Sequence, residues 1–235
     1  MRATFHHSDT ESHNVKTFWF ETPESLRYTA GQYTEITLPH DNPDNRGIKR
    51  WSTLSSSPTE KLLAISSEYA GDENTSSFKR ALFNLEAGAQ VDLAQAMGDF
   101  VLPKDTSTRL IFVGLGIGVT PFRSIFKWLA DNDEQRDITF IHSVATEDDI
   151  IFQNIFDEAH QHATIVVEDP SDTWGGERGQ LTAQMILGIG KPDSDTLIYL
   201  SGAQDYLERL QRDMLREGVK QHQIVTDFFP GYSKS

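Results

Sequence analysis

Residues 109–129 read RLIFVGLGIGVTPFRSIFKWL, and this stretch decides the fold of the second half of the chain. It begins with an apolar, β-branched run at 110–113, which is short enough to be a buried parallel strand. Glycines then follow at alternate positions from Gly114, and Pro121 opens a segment whose apolar residues recur at helical spacing. The pattern predicts a strand, a glycine turn and a helix. Such a turn lets a ligand approach the backbone, and free N–H groups at a helix start suit phosphate oxygens.

The standard dinucleotide fingerprint, G-x-G-x-x-G, would need glycine at position 119, where the chain has Val119. An ordinary strand-to-helix turn in an α/β domain therefore stays open as an alternative on this stretch alone. The sequence around it favours an α/β domain, because strand-like runs alternate with helical segments after residue 104. The strand-like runs lie at 110–113, 138–141, 163–167 and 196–200, and the helical segments lie near 121–130, 149–160, 179–187 and 203–217.

The first hundred residues instead have the short runs and turn-rich connections that are typical of β structure. Candidate strands lie at 3–7, 15–21, 32–38, 51–54, 62–69 and 90–93. One helix interrupts them, capped by Ser76 or Ser77 and stopped by Gly88. We therefore predict two domains, with the boundary near residue 104. An antiparallel β-barrel spans residues 1–104, and an α/β domain with a parallel sheet spans residues 105–235.

Composition excludes several classes of function. Acidic residues outnumber basic ones by 35 to 21, which gives a net charge of −14 and makes nucleic acid and anionic membranes poor partners. The chain has no cysteine, so thiolate metal sites and an iron–sulfur cluster held by its own cysteines are excluded. Its histidines show no ligand spacing, and we expect no metal site. The longest apolar run, at 110–119, is too short to span a bilayer, and we expect a cytoplasmic protein.

A second candidate site lies in the first half, at Arg50-Trp51-Ser52-Thr53. An arginine fork suits a pyrophosphate, an aromatic face suits a planar ring, and a hydroxyl can hydrogen-bond a ring nitrogen. Taken alone, these four residues could equally be a surface strand with a buried tryptophan.

The order of these elements resembles the ferredoxin–NADP reductase superfamily, in which a flavin-binding barrel precedes a nicotinamide-binding α/β domain. The resemblance runs from Gly31 to Tyr232. The family's pattern of arginine, any residue, tyrosine and a hydroxyl resembles Lys49-Arg50-Trp51-Ser52, which leaves Lys49 or Arg50 as the pyrophosphate cation. The resemblance implies that Trp51 packs on the flavin and that Ser52 lies near flavin N5.

Two further elements resemble the family's phosphate-binding and nicotinamide-binding turns. The turn from Gly71 to Ser77 resembles a second phosphate element, which makes Gly71, Thr75, Ser76 and Ser77 candidates to hold the pyrophosphate. The run from 114 to 121 resembles the family's glycine-rich turn that ends in proline. It supplies Gly114, Gly116, Gly118, Thr120 and Pro121 as candidate cofactor contacts, with Thr120 and Pro121 nearest the nicotinamide.

The last resembling elements lie near the carboxyl end. Ser201-Gly202-Ala203 stands where many members have cysteine, glycine and proline, so Ser201 is expected beside the nicotinamide. The terminal signature of an acid followed by aromatic residues resembles Asp227-Phe228-Phe229, and Asp227 and Phe229 are expected to face the flavin. The expected catalytic residues are therefore Ser52, Ser201 and Phe229.

The resemblance implies a flavoenzyme that exchanges hydride between NAD(P)H and bound FAD and passes electrons to a separate acceptor, either a small molecule or a redox protein. NADH is slightly favoured, because Ala145 stands where NADP-using members often have arginine. The absence of the family's cysteine and proline at 201 and 203 keeps an alternative open. That alternative is a flavin-binding electron-relay or regulatory subunit with little nicotinamide turnover.

Overall fold

The computed structural model describes residues 1–23, 26–71, 73 and 75–227, and it contains two six-stranded sheets. The first sheet is built from β1 (Arg2–Thr10), β2 (Val15–Glu21), β3 (Tyr33–Thr37), β4 (Lys49–Thr53), β5 (Leu63–Glu68) and, after helix α1 (Ser77–Phe83), β6 (Gln90–Leu93). Its order is β4-β3-β6-β1-β2-β5 and all neighbours are antiparallel. The predicted antiparallel architecture is confirmed, as a half-barrel whose edge strands β4 and β5 contact each other.

Alternation of apolar and polar residues explains why the first sheet curls around a core. Phe18 and Phe20 of β2 point inwards and are fully buried, whereas Trp19 between them is only partly buried. Helix α1 covers one opening of the half-barrel with Phe78 and Leu82. Its cap is Ser76, whose Oγ accepts a hydrogen bond from Lys79 N at 3.3 Å. The helix ends at Phe83, one turn earlier than the sequence predicts, because 84–89 form turns that lead into β6.

The second sheet is parallel throughout and confirms the predicted βαβ units. Its elements are β7 (Leu110–Leu115), α2 (Thr120–Asp131), β8 (Ile138–Val144), α3 (Gln153–Glu158), β9 (Thr164–Val167), β10 (Glu177–Arg178), α4 (Ala183–Gly190), β11 (Leu197–Ser201), α5 (Gln204–Arg216) and β12 (Ile224–Thr226). The strand order is β10-β9-β8-β7-β11-β12. Helices cover both faces, so β7 at the centre is buried along its whole length.

Aromatic and aliphatic residues divide between the two faces of this sheet. Phe112 packs with Phe122 and Phe126 of α2 on one face, with ring centroids 4.8 and 5.6 Å away. Ile111 and Val113 pack on the other face in the cluster that holds the apolar residues of α4 and α5. Both faces of β7 are therefore covered, and the strand order places β7 and the glycine turn that follows it inside the sheet.

Residues 94–109 connect the two sheets, and the boundary near residue 104 stays a prediction within this segment. The half-barrel and the α/β half of the chain are in direct contact, since α2 packs against the loop that follows β4. In the described ranges, which omit 24–25, 72, 74 and 228–235, no helix is long and apolar enough to cross a membrane.

Candidate active site

A cleft with a volume of about 260 Å³ lies between the half-barrel and the carboxyl edge of the parallel sheet, and we call it the interdomain cleft. The half-barrel contributes residues of β4 and α1, and the parallel sheet contributes the loops after β7 and β11. The predicted site residues that line it are Arg50, Trp51, Ser52, Thr53, Ser76, Gly118, Thr120, Ser201, Gly202 and Asp227. The fold thus brings together residues that are separated by up to 177 positions in the sequence.

The loop after β7 lies at the point where the sheet changes direction. From β7 the chain adds β8, β9 and β10 on one side and then crosses to β11 on the other. In open α/β sheets, ligands bind outside the carboxyl ends of the strands at this switch point. Gly114 of β7 pairs directly with Ser201 of β11, so the loops after both strands open into the cleft together.

Gly118 must be glycine because the two loops touch there. A Cβ atom at this position would lie 2.4 Å from the backbone oxygen of Ser201 and 2.5 Å from Gly202 Cα. Gly116 has a φ of +53°, in the left-handed region that favours glycine. Gly114 and Pro121 are buried behind the loop and do not line the interdomain cleft.

Strand β4 decides which of the two candidate cations reaches the cleft. Arg50 is buried, and its Nη1 donates to the backbone oxygens of Arg46 and Gly47 at 2.8 and 3.1 Å. Lys49 points away from the cleft, and its Nζ donates to Glu35 at 2.9 Å. The sequence left both cations open, and the structure places Arg50 in the interdomain cleft.

The cleft is also lined by two cations that were not predicted from the sequence, Arg46 and Lys79. Burial lowers the pKa of Lys79, and the charges of Arg46 and Arg50 act in the same direction. Three cations therefore gather in one cleft of a chain whose net charge is −14. Lys79 could have been predicted from its position, because it lies in the first turn of a helix that follows a run of hydroxyl residues.

Trp51 is held at the cleft by its neighbour on β3. The rings of Trp51 and Tyr33 meet edge to face, with centroids 5.5 Å apart. Trp51 keeps an intermediate exposure, so part of the indole stays available to a ligand. Ser52 follows it on the same strand and also lines the cleft.

The turn from Gly71 to Ser77 brings one of its four predicted phosphate ligands to the cleft, namely Ser76. Thr75 Oγ1 instead accepts from Ala70 N at 3.1 Å, and Ser77 Oγ accepts from Asp44 N at 2.9 Å. Gly71 is exposed, with a φ of +82°. The hydroxyls of Thr75 and Ser77 therefore stabilise the half-barrel itself.

Ser201 and Asp227 form a buried pair on the sheet side of the cleft. Ser201 Oγ donates to Asp227 Oδ2 at 3.1 Å. Burial raises the pKa of Asp227 to about 7, although hydrogen bonds from Ser201 and Thr53 oppose the shift. The carboxyl group can therefore hold or release a proton near neutral pH. Phe228 and Phe229, which the sequence also predicts here, lie outside the described residues.

His142 of β8 lies under the glycine turn and was not found from the sequence. It is completely buried, its Nε2 is 3.3 Å from Gly116 O, and its Nδ1 has no partner among the described residues. Burial lowers its pKa to about 4, so the ring is neutral at pH 7. Because Gly116 O can only accept, Nε2 carries the proton and donates to it.

A neighbouring cavity of about 440 Å³ adjoins the interdomain cleft at Ile117. Gly116, Ala145 and Thr146 line it, and so do two carboxylates, Glu68 and Asp149. No lysine or arginine is among the described residues that line it. Across residues 1–23, 26–71, 73 and 75–227, no group of acidic and histidine side chains could hold a metal ion.

The chain resembles known oxidoreductases in sequence. A family model described as an oxidoreductase NAD-binding domain matches residues 112–212. NADH oxidoreductase HCR of Escherichia coli is 26% identical over 219 residues, which cover 93% of this chain and 65% of that protein. The glycine betaine monooxygenase reductase subunit of Chromohalobacter salexigens is 27% identical over 220 residues, with 88% of this chain covered. The chain spans only 58% of that second relative.

Solved structures share the fold over nearly the whole chain. The FAD/NAD-binding domain of nitric oxide dioxygenase from Vibrio cholerae superposes with a TM-score of 0.81 at 19% identity, covering 97% of this chain and 98% of that one. A ferredoxin–NADP⁺ reductase from Neisseria gonorrhoeae, solved with FAD and NADP bound, superposes with a TM-score of 0.80 at 18% identity, with 97% of each chain covered. These likenesses show that the two-domain architecture is shared.

Proposed function

We propose that the chain is a member of the ferredoxin–NADP reductase-like superfamily and a flavoenzyme that transfers hydride between NAD(P)H and bound FAD and delivers electrons to a separate acceptor. In this proposal residues 1–104 bind the flavin and residues 105–235 bind the nicotinamide nucleotide. The observation that carries it is the interdomain cleft, in which Trp51 and Ser52 of the half-barrel face the loops after β7 and β11.

The half-barrel side of the cleft suits a flavin dinucleotide. Arg46, Arg50 and Lys79 supply positive charge for a pyrophosphate, and the partly buried Trp51 supplies an aromatic face for a ring system. Ser76 offers a hydroxyl beside these cations. We propose that Ser52 hydrogen-bonds the flavin near its reactive edge.

The sheet side suits the nicotinamide end of a dinucleotide. The loop containing Gly118 has no side chain to keep a ligand away from the backbone, and Thr120 begins helix α2 beside it. Ser201, the last residue of β11, places a small hydroxyl in the lining of the cleft. Bound FAD and NAD(P)H supply the redox chemistry, and the chain's own residues orient the two rings, exclude water and hold a proton at Asp227.

We propose that NADH is preferred to NADPH. The 2′-phosphate of NADPH would need a cation near the end of β8, and Ala145 occupies that point. The segment that follows contains Glu147, Asp148 and Asp149, and Asp149 accepts hydrogen bonds from Thr146 at 2.8 and 2.9 Å. Fixed negative charge at this edge repels a phosphate. NADH should therefore reduce the protein with the lower apparent KM.

A flavin-binding electron-relay or regulatory subunit remains the second candidate. The observation that favours it is the hydrogen bond that Ser201 donates to Asp227. This bond engages the hydroxyl that stands in place of the family's cysteine. The two candidates differ in whether nicotinamide nucleotides reduce the flavin quickly.

Anaerobic reduction tests the proposed function. Protein reconstituted with FAD is mixed with NADH or NADPH while the flavin absorbance is followed. Rapid bleaching by at least one nucleotide is the expected result. A protein that binds FAD and stays yellow would refute the reductase proposal and support the relay subunit. A protein that takes up no flavin would refute both.

The electron acceptor is proposed by class. The C. salexigens relative is the reductase subunit of a monooxygenase, and by analogy we propose that this chain delivers electrons to a separate oxygenase or another redox partner. The net charge of −14 disfavours strongly acidic protein partners unless a local basic surface offsets it. A cytoplasmic location stays a prediction from the sequence.

A further inference from the structure

The two sides of the interdomain cleft are joined by a buried ion pair that lies outside the cleft itself. Arg123 of α2 donates from Nη1 to Glu60 Oε2 at 2.8 Å and from Nη2 to Glu60 Oε1 at 3.1 Å. The side chains are only 6% and 16% exposed. A paired guanidinium and carboxylate in this two-bond geometry fix both distance and angle. The pair therefore sets how α2 sits on the half-barrel.

The same arginine also holds the backbone that leaves β4. Its Nη1 donates to Ser55 O at 2.7 Å, and the adjacent Ser124 Oγ donates to Ser56 O at 2.5 Å. Glu60 is anchored in turn, because its Oε2 accepts from Ser57 N at 2.7 Å. One short segment, 55–60, is thus bound at three points to the first turns of α2.

Aromatic rings complete the surroundings of Arg123. Its guanidinium carbon lies 5.3 Å from the ring centroid of Trp19 and 5.7 Å from that of Phe152. Trp19 belongs to the half-barrel and Phe152 to the α/β domain, so the guanidinium is enclosed from both sides. The charge of Arg123 also acts on Glu11, whose pKa burial raises and Arg123 lowers.

We call the ion pair between Arg123 and Glu60 the clamp. The two segments that it joins lie close to cleft residues in the sequence. Ser55 is three residues beyond Ser52, and Arg123 is three residues beyond Thr120. Three residues correspond to roughly 10 Å along a strand and to about one turn of a helix. Because these connections are short, a shift of the clamp would move Ser52 relative to Thr120.

We propose that Arg123 and Glu60 are positioning residues for hydride transfer, because they fix the flavin-binding strand against the helix that begins at the nicotinamide site. This proposal rests on the proposed function. Neither residue lines the interdomain cleft, so neither would touch a ligand there. Their loss should slow the reaction between two bound cofactors and leave FAD binding almost unchanged.

The test uses Arg123→Lys, which keeps the charge but loses the forked geometry, and Glu60→Gln, which keeps the shape. The control is Arg136→Lys. Arg136 is equally buried and pairs with Glu134 at 2.6 Å, but it holds only the segment 103–105 and the approach to β8. Each variant is loaded with FAD and reduced by NADH in an anaerobic stopped-flow instrument. The FAD Kd, the NADH Kd and the limiting rate constant are measured.

The proposal expects the limiting rate constant to fall by about tenfold to 100-fold in both clamp variants, the cost typical of a misplacement near 1 Å. The FAD Kd should change by less than about threefold. Arg136→Lys should leave the limiting rate constant at the wild-type value even if it lowers the Tm.

Three results would overturn the proposal. The first is an unchanged limiting rate constant in Arg123→Lys. The second is an equal fall of the limiting rate constant in Arg136→Lys. The third is that the clamp variants unfold and lose FAD at the same time. Failure of the proposed function looks different, because wild-type protein would then not be bleached by either nucleotide at all.

Discussion

At the scale of single residues, two buried ionisable groups should give the protein opposite pH dependences. His142 has its pKa lowered to about 4, and Asp227 has its pKa raised to about 7. Each group folds in its neutral form, and each is destabilising once it must carry charge inside the protein. Their effects partly cancel in the wild type, so each is best measured as a difference between a variant and the wild type.

Replacing His142 should remove a source of acid sensitivity. The folded pKa lies below the unfolded value of 6.5, so this contribution to stability is present above pH 6.5 and lost as pH falls towards 4. The loss in full amounts to about 3 kcal/mol. Relative to wild type, His142→Leu should gain in unfolding free energy as the pH falls over that window. Urea unfolding at several pH values measures this. His162→Leu, at a side chain 86% exposed, is the control and should follow the wild type.

Replacing Asp227 should act in the opposite direction. Its folded pKa lies above the unfolded value of 3.8, so its contribution is present below pH 3.8 and lost as pH rises through 7. Asp227→Asn should therefore become more stable than wild type by up to about 4 kcal/mol between pH 4 and pH 8. Asp172→Asn, at an exposed position, provides the comparison. A difference that does not change with pH would contradict the buried neutral acid.

Replacing Trp51 tests the aromatic contact proposed for the flavin. Trp51→Ala should raise the FAD Kd by up to about tenfold, since a stacked aromatic pair contributes roughly 0.5 to 1.5 kcal/mol. Equilibrium titration with FAD, followed by flavin fluorescence, measures the change. Trp174→Ala removes a tryptophan from a loop of the α/β domain that does not line the cleft, and it should bind FAD normally. Equal Kd values for wild type and Trp51→Ala would contradict the stacking role.

Single residues also show where sequence reasoning stops. Trp51 and Ser52 could be proposed because their chemistry suits a flavin and their order resembles a known family. His142 could not, because a histidine inside an apolar strand has the same pattern whether its ring is exposed or buried. Only the packing of β8 under the turn places its Nε2 against Gly116 O.

At the scale of elements, the loop after β7 is the most constrained part of the site. Gly118→Ala would force the loop away from Ser201 and Gly202, because the new Cβ would meet backbone atoms at 2.4 to 2.6 Å. The apparent KM for NADH should rise by about tenfold or more, while the FAD Kd stays near the wild-type value. Steady-state kinetics with a fixed acceptor measures this.

Gly188→Ala is the matched control for that substitution. Gly188 lies in α4, where an added Cβ meets nothing within 4 Å and the backbone is helical. Alanine there should leave the KM for NADH unchanged and raise stability by up to about 1 kcal/mol. If Gly118→Ala also kept its KM for NADH, the close approach of the two loops would have no bearing on nucleotide binding.

Elements differ in how well the sequence predicts them. Strands such as β2 and β7 and helices such as α2 and α5 carry enough apolar residues for their period to be visible. Strands β10 and β12 contain two and three residues, too few to show any period, and they form only because a neighbouring strand offers free backbone groups. Helix α1 ends early because the turn into β6 takes over its last predicted residues.

At the scale of the whole molecule, the candidate site depends on contacts that no local sequence pattern predicts. Ser201 at the end of β11 meets Asp227 just after β12, and Arg123 of α2 meets Glu60 in the loop that follows β4. The fold class followed from alternating patterns in each half of the chain, and the order of motifs resembles that of the ferredoxin–NADP reductase superfamily. The relative placement of the halves depends on tertiary packing, which spacing along the chain does not encode.

The proposed function requires the interdomain cleft to hold a flavin and a nicotinamide close enough for direct hydride transfer. The most direct test is the anaerobic reduction of the FAD-loaded protein by NADH and by NADH deuterated at the transferred C4 position. The bleaching rate should saturate with NADH, and its limiting value should be lower with the deuterated nucleotide. Bleaching that never saturates and shows no isotope effect, or no bleaching at all, would contradict the proposed function.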